Sequence, residues 1–424
     1  MTEKSPLENT VNHLFRHQSG KMVAVLTRIF GVHNMELAED VVQETMLTAY
    51  EKWRIKGIPD NPESWLFIVA KNKALNLIKK QRNTVLFGDD STKVLLKSGY
   101  TVETTFNQLT NEELIKDDQL RMMFACCHPE ISEENQIPLI LKTLCGFSTA
   151  EIAKAFITSE DTISKRLYRT REFFRQNKIE LIIPSVDEIR NRTKAVLSTI
   201  YLLFNEGYNS THSADLIRMD VIAEAITLCK LLCENANTQL PEVYALMALI
   251  CFHSSRSNSR LTAEGEIILL SKQDRGKWNS ELIDKGSEYM NMAATGTNVS
   301  TYHLEAAIAY EHCVATSFEN TNWKKILEYY GWLFKIAPSP ITELNKVIAV
   351  MQLHGPAIAL KELETLKDKE KLKSYYLYYC LLGEIHLQLH NSELARKHFE
   401  TAIKLTQSET ERKMLTNKIA AMLN

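Results

Sequence analysis

A run of hydroxyl, amide and guanidinium side chains between Leu144 and Gln176, LCGFSTAEIAKAFITSEDTISKRLYRTREFFRQ, has the donors that a polyanion with readable edges would need. Ser159, Thr162, Ser164, Lys165, Arg166, Arg169 and Arg171 supply them. A helix must present them together. Ile163 and Leu167 recur at i, i+4 and turn one face inward, leaving the polar set outside. Thr158 and Ser159 offer the N-cap of that helix. A shorter helix precedes it, with Ile152, Ala153 and Phe156 as its apolar stripe. Ser148 and Glu151 form a capping box at its start, and Gly146 ends the helix before that. The whole is a helix-turn-helix whose second helix suits a DNA major groove.

The rest of the composition limits what such a segment can belong to. The 424 residues carry 50 Lys and Arg against 52 Asp and Glu, a net charge of −2. A protein that binds DNA alone usually shows a basic domain. Here the basic residues are local and balanced elsewhere, or the chain binds DNA with help. No apolar run approaches the ~20 residues of a membrane helix, and the longest, Tyr244 to Phe252, suits a buried core helix. The opening MTEKSPLENT lacks the apolar core of a signal peptide, so a cytoplasmic protein is expected. The cysteines show neither a disulfide framework nor zinc spacing, which fits reduced thiols. Cys126, Cys127 and His128 lack a fourth ligand, and neither a metal nor a cofactor is expected.

The chain divides into helical parts. Residues 9–83 form a first domain, in which Val42, Met46, Ala49 and Trp53 repeat at helical spacing, as do Trp65, Ile68, Val69, Leu75 and Ile78. Gly57, Pro59, Asp60, Asn61 and Pro62 mark the loop between those helices. The first of the two begins acidic, with Glu36, Glu39, Asp40 and Glu44, and the second ends basic, with Lys71, Lys73, Lys79, Lys80 and Arg82. Residues 84–116, rich in Thr, Ser, Asn and Lys, read as a linker. Residues 117–180 hold the helix-turn-helix, and Pro184 breaks the chain. Residues 185–424 are helical with mixed charge. There Tyr379, Leu382, Gly383, Ala395, Phe399 and Ala402 match the spacing of a tetratricopeptide repeat, without its closing proline. Ala359 and Leu363 mark a weaker copy before it. The fold class is therefore all-α: two small helical domains followed by a large helical, tetratricopeptide-like one.

AEDVVQETMLTAYEKW (Ala38 to Trp53), NPESWLFIVAKNKALNLIKKQR (Asn61 to Arg82) and the helix-turn-helix, in that order and separation, resemble a bacterial RNA polymerase sigma factor of the extracytoplasmic-function (ECF) group. That group keeps only the second and fourth sigma domains. Asn205-Glu206-Gly207-Tyr208, Gln273-Asp274-Arg275 with Trp278, Thr321-Asn322-Trp323, and Ser339-Pro340 with Leu344-Asn345 resemble the long C-terminal extension of one subgroup. The resemblance implies a transcription initiation factor whose partners are core RNA polymerase, through the clamp helices of its largest subunit and its flap region, and promoter DNA. Asp40, Gln43 and Glu44 match the stretch that docks on the clamp. Asn61, Lys71, Asn72, Asn76, Lys79, Lys80 and Arg82 match the segment that grips the minus-ten element and takes a flipped base. Many relatives carry an acid where this chain has Asn76. Ser159, Thr162, Lys165, Arg166 and Arg169 match the helix that reads the minus-thirty-five element. The extension is expected to regulate in cis or through a protein or peptide partner.

Two other function classes fit parts of the chain. A one-component helix-turn-helix regulator with a helical sensor domain accounts for the second and third parts but leaves the acidic and Asn-bearing helices of the first without a purpose. An enzyme would need a convergent constellation, and His303, Glu305, Glu311, His312 and Cys313 do not form a recognised one. The stretch Asn205 to Tyr208 reads as a binding site or as a tight structural turn, and Asn and Gly suit the turn.

Overall fold

A computed structural model of the chain describes residues 6–81, 112–155, 158–177, 179, 186–209, 217–366, 369–406 and 408–423. Among them the structure is helical, and the β-pairing is one isolated antiparallel bridge between Leu261 and Ile267. The helices are α1 (Pro6–Phe30), α2 (Met35–Lys56), α3 (Pro62–Gln81), α4 (Glu112–Cys126), α5 (Glu133–Thr143), α6 (Thr149–Ala155), α7 (Glu160–Asn177), α8 (Val186–Tyr208), α9 (Met219–Glu234) and α10 (Pro241–Ser255). There follow α11 (Ser280–Ala293), α12 (Thr301–Val314), α13 (Trp323–Ile336), α14 (Pro340–His354), α15 (Pro356–Glu364), α16 (Lys369–Leu372), α17 (Tyr376–Gln388), α18 (Ser392–Leu405) and α19 (Glu409–Leu423). The chain forms two compact units, one of residues 1–203 and 223–238, the other of residues 204–222 and 239–424.

In the first unit, α1 packs along α2 and α4. The inner face of α2 is Met35, Ala38, Val41, Val42, Ala49 and Trp53, all buried. The face of α3 differs from the one expected. Its buried line is Leu66, Ala70, Ala74 and Ile78, at strict i, i+4 spacing, and Ile68 is 57% exposed. Alanines on the inner line let neighbouring helices approach closely, and a pattern that weights only large apolar residues misplaces such a face. Trp65 is half-buried against Trp53, with ring centroids 5.3 Å apart.

The second unit is made of paired helices, among them α10 with α11 and α17 with α18. Gly383 faces the Phe399 ring so closely that a β-carbon there would stand 2.4 Å from it. Ala395, Phe399 and Ala402 are fully buried, as are Ala359 and Leu363 of the earlier copy. The segments that resemble the C-terminal extension act as structural fasteners. Asn205 to Tyr208 form the last turn of α8 rather than a separate turn. Gly207 lies against the backbone of Ile222, where a β-carbon would meet the Ile222 nitrogen at 2.8 Å. Arg256 donates to the Tyr208 hydroxyl at 2.7 Å, and Arg260 donates to the Tyr208 carbonyl and stacks over its ring. Arg275 donates to the carbonyls of His312 and Ala315 and lies over the Trp278 ring. Asn322 caps α13 and Ser339 caps α14, with Pro340 in its first turn.

Burial pushes His312 down from its ordinary 6.5 to about 3, and Arg256 and Arg275 add repulsion. His253 is depressed by burial first, then by Arg256, Arg260 and His312. The folded unit therefore holds both imidazoles neutral, while an unfolded chain binds protons near pH 6.5. Their contribution is complete above that pH and is lost as pH falls below about 6.5; for His312 the loss continues towards 3, at about 1.4 kcal/mol per pH unit. Urea unfolding measured between pH 7 and pH 5 should show stability falling with pH, and His312→Gln should make that slope shallower.

Candidate nucleic-acid interface

The helix-turn-helix forms as its caps dictate. Gly146 takes a φ of +65°, which lets the chain turn out of α5. The Ser148 amide donates to Glu151 Oε2 at 2.8 Å, and the Glu151 amide donates to Ser148 Oγ at 3.1 Å, closing the expected capping box. Ser159 Oγ accepts from the Thr162 amide at 3.2 Å and starts α7. Ile163, Leu167, Thr170 and Phe174 are the buried line of α7. That line leaves Ser164, Lys165, Tyr168 and Arg169 exposed on the opposite side.

The candidate contacts on α7 differ in how free they are. Ser159 and Thr162 share the N-cap and bond each other at 2.8 Å. Lys165 is exposed and reaches Asp161 one turn back at 2.6 Å. Arg166 is partly buried and donates to Glu134 of α5 at 3.2 Å. Arg169 is exposed. Tyr168, 60% exposed between Lys165 and Arg169, is a surface residue that the sequence reading passed over. Its displacement from the Ile163–Leu167 line was the available signal.

In the first domain, Asp40, Gln43 and Glu44 are exposed at i, i+3, i+4 on α2 and share one face. Leu47, 59% exposed, and Tyr50 continue that face at the next turns, so it is acidic at one end and apolar at the other. Glu44 accepts from Lys73 of α3 at 3.2 Å. On α3, Asn72 and Asn76 are exposed one turn apart, in line with the exposed Ile68. Asn61 Oδ1 accepts from the Ser64 amide at 3.0 Å, so this side chain caps α3. Lys71 is partly buried at the edge of that face. The side chains of Lys79 and Lys80, and residues Arg82 and Phe156, lie outside the described residues.

The two acidic residues nearest the start of α2 do not face solvent alone. Arg171 bonds Glu39 and lies 3.5 Å from Glu36, and Arg175 bonds Glu36. Glu39 is only 7% exposed. Burial raises its carboxyl above the ordinary value, and the Arg171 guanidinium pulls it back down.

Elsewhere the chemistry-bearing side chains serve structure. Burial pushes the Cys126 thiol up to about 12, so it is protonated at neutral pH. His303 closes a capping box with Ser300 at the start of α12. Glu311 is buried against Lys325 at 3.1 Å, and Cys313 lies 3.8 Å from Ser255. Among the described residues no group of His, Cys, Asp and Glu converges as a metal site, and no helix is long and apolar enough to cross a membrane.

Comparison with known proteins agrees with this geometry. Residues 14–84 match the family model of sigma-70 region 2, and residues 121–174 match sigma-70, region 4. Residues 192–294 match a family of unknown function, DUF6596. The chain is 30% identical over 132 residues to the ECF RNA polymerase sigma factor SigL of Mycobacterium tuberculosis, covering 31% of this chain and 68% of that one. The chain belongs to the ECF RNA polymerase sigma factors. It is also similar to the ECF RNA polymerase sigma-E factor of Haemophilus influenzae, 25% identical over 40% of this chain and 87% of that protein. An uncharacterized protein of Rhizobium meliloti, R00370, is 32% identical over 92% of this chain and 90% of its own length, so the likeness extends through the C-terminal unit. No solved structure matches. The matched sigma-70 regions take in α2, α3 and nearly all of α7.

In this sigma factor the Ser148–Glu151 box orients α6 beneath the exposed face of α7. Ser148→Ala removes one half of it and should lower stability by about 1 kcal/mol, read as a lower thermal midpoint by circular dichroism.

Proposed function

We propose that this sigma factor uses three surfaces in promoter-specific initiation, and that its C-terminal unit regulates their use. The face of α2 bearing Asp40, Gln43 and Glu44 docks on the clamp helices of the polymerase largest subunit. Leu47 and Tyr50 extend the same contact into an apolar patch. The single observation that carries this is their shared exposure along one side of α2, beside a buried face that fixes the helix in place. Charge complementarity with a basic partner surface favours the encounter.

The minus-ten element is held by Asn61, Lys71, Asn72, Asn76, Lys79, Lys80 and Arg82. Asn72 and Asn76 are exposed amides that can both donate to and accept from base edges. Asn61 uses its oxygen to cap α3 and keeps its amide NH2 for a base. A flipped base costs a few kcal/mol of stacking, which contacts in such a pocket offset. The minus-thirty-five element is read by Ser159, Thr162, Lys165, Arg166 and Arg169 on α7, which together with the region 4 domain also contacts the polymerase flap. Lys165 and Arg169 are the exposed cations, suited to phosphates or to guanine edges. Arg166 must leave Glu134 to join them. Binding, not catalysis, does this work.

The C-terminal unit regulates in cis or through a protein or peptide partner. Stacked helical pairs make extended binding surfaces, and Trp332, Ile336, Ile341 and Ile348 on α13 and α14 are large apolar side chains left in the open.

Two measurements test these assignments. In a pull-down with core polymerase, Asp40→Lys with Glu44→Lys should reduce capture at least about tenfold while leaving helix content unchanged; retention at the wild-type level removes α2 from the docking site. A chain ending after Thr238 keeps every residue of the first unit. In a reconstituted transcription assay it should differ from the full chain in promoter activity, and equal activity would remove the regulatory role.

A further inference from the structure

In the second unit, α13 packs against α12 and α14 and turns Trp323, Ile326 and Leu333 inward. Glu328, Gly331, Trp332 and Lys335, at i, i+3, i+4 and i+7, share the opposite side. Glu328, Trp332 and Lys335 are exposed, and among the described residues neither charge has an ion-pair partner. A β-carbon at Gly331 would meet nothing within 4 Å. Glycine weakens a helix interior relative to alanine, and a close approach by a neighbour is its usual compensation. Among the described residues no neighbour makes that approach. The notch opens outward instead, beside the Trp332 ring, which is 53% exposed.

This stripe is complementary to itself. Glu328 stands as far before the midpoint between Gly331 and Trp332 as Lys335 stands after it. A second α13 laid antiparallel across the first, on a two-fold axis through that midpoint, brings each Glu328 to the other copy's Lys335. It also brings each Trp332 ring to the other copy's Gly331. Opposite charges meet twice and a large ring enters a notch twice, which is the pattern of an isologous contact. A parallel pairing would set glutamate on glutamate and lysine on lysine. Ile336, one turn beyond Trp332 and 49% exposed, widens the apolar part of the face. A single helix crossing lies at the small end of specific interfaces, below about 1,200 Å² in total, so a weak, micromolar equilibrium is expected.

We propose that the outer face of α13 joins two copies of the chain in an antiparallel, two-fold dimer. Glu328 and Lys335 set the direction of the pairing, and Trp332 seated on Gly331 supplies its centre. The partner of the C-terminal unit at this face is thus a second copy of the same chain, which rests on the reading of α13 and α14 as a partner surface.

The experiment is sedimentation velocity on the full chain at low salt, over a concentration series that reaches hundreds of micromolar. Wild type should pass from monomer to dimer. Glu328→Lys alone sets lysine on lysine and Lys335→Glu alone sets glutamate on glutamate, so each should weaken dimerisation at least about tenfold. Mixed in equal amounts, the two variants should dimerise again, because every charged contact is then Lys with Glu. A chain carrying both substitutions should also dimerise. Trp332→Ala should weaken the dimer at least about tenfold, as loss of a central tryptophan does. Gly331→Leu separates folding from association. Its side chain starts in open space and raises helix propensity, so the thermal midpoint of the dilute chain should not fall, while the dimer should be lost. A wild-type chain that stays monomeric throughout overturns the proposal and leaves the face to a foreign partner. Single charge variants that dimerise as wild type does overturn it as well, and so does a mixture that stays monomeric. Self-association is read without polymerase or promoter. A monomeric chain therefore removes the pairing alone, whereas unchanged transcription after truncation at Thr238 removes the regulatory role alone.

Discussion

A helix buries one face, and on α7 the choice of that face decides what the protein can present to DNA. Ile163, Leu167, Thr170 and Phe174 form the inner line. Four residues at i, i+4, i+7 and i+11 fix the rotation of the helix to within a fraction of a turn. Lys165, Tyr168 and Arg169 are outside because of that rotation, and Arg166 sits at its margin, close enough to α5 to pair with Glu134. The two caps set where the helix begins and how α6 supports it. Chemistry at this site is therefore the remainder left after packing is satisfied.

The same logic explains the first domain. On α2, Val41, Val42, Ala49 and Trp53 face the core, so Asp40, Gln43, Glu44, Leu47 and Tyr50 share the other side. On α3, the alanines at 70 and 74 take the inside, and Ile68, Asn72 and Asn76 take the outside. An apolar side chain beside two amides is a surface able to touch both the ring and the edge of an unstacked base.

What could be read without coordinates was what depends on neighbours in sequence. The capping box of Ser148 and Glu151, the cap at Ser159 and the inner line of α7 are local, and all appear as expected. The close approach of Gly383 to Phe399 follows a known repeat spacing. The rotation of α3 was not legible, because Ala70 and Ala74 carry little weight in a hydrophobic pattern although their smallness makes them the contact residues. Nor was the pairing of Arg171 with Glu39, which joins positions 132 residues apart. Composition shows that acids and bases balance, not which of them meet. The Asn205 to Tyr208 stretch looked like a turn from its Asn and Gly. Tertiary packing overrode that preference, since Gly207 is needed for the approach of Ile222 and not for a positive φ.

The cations of α7 mostly arrive with an acid already in hand: Lys165 with Asp161, Arg166 with Glu134, Arg171 with Glu39. A basic strip without such companions condenses onto any stretch of chromosome, and most copies of the protein would be lost there. Paired cations release fewer counterions on meeting a phosphate backbone, so such pairing lowers non-specific affinity. The carboxylates that partner them, one on α7 itself and two on α5 and α2, weaken a purely electrostatic hold on nucleic acid.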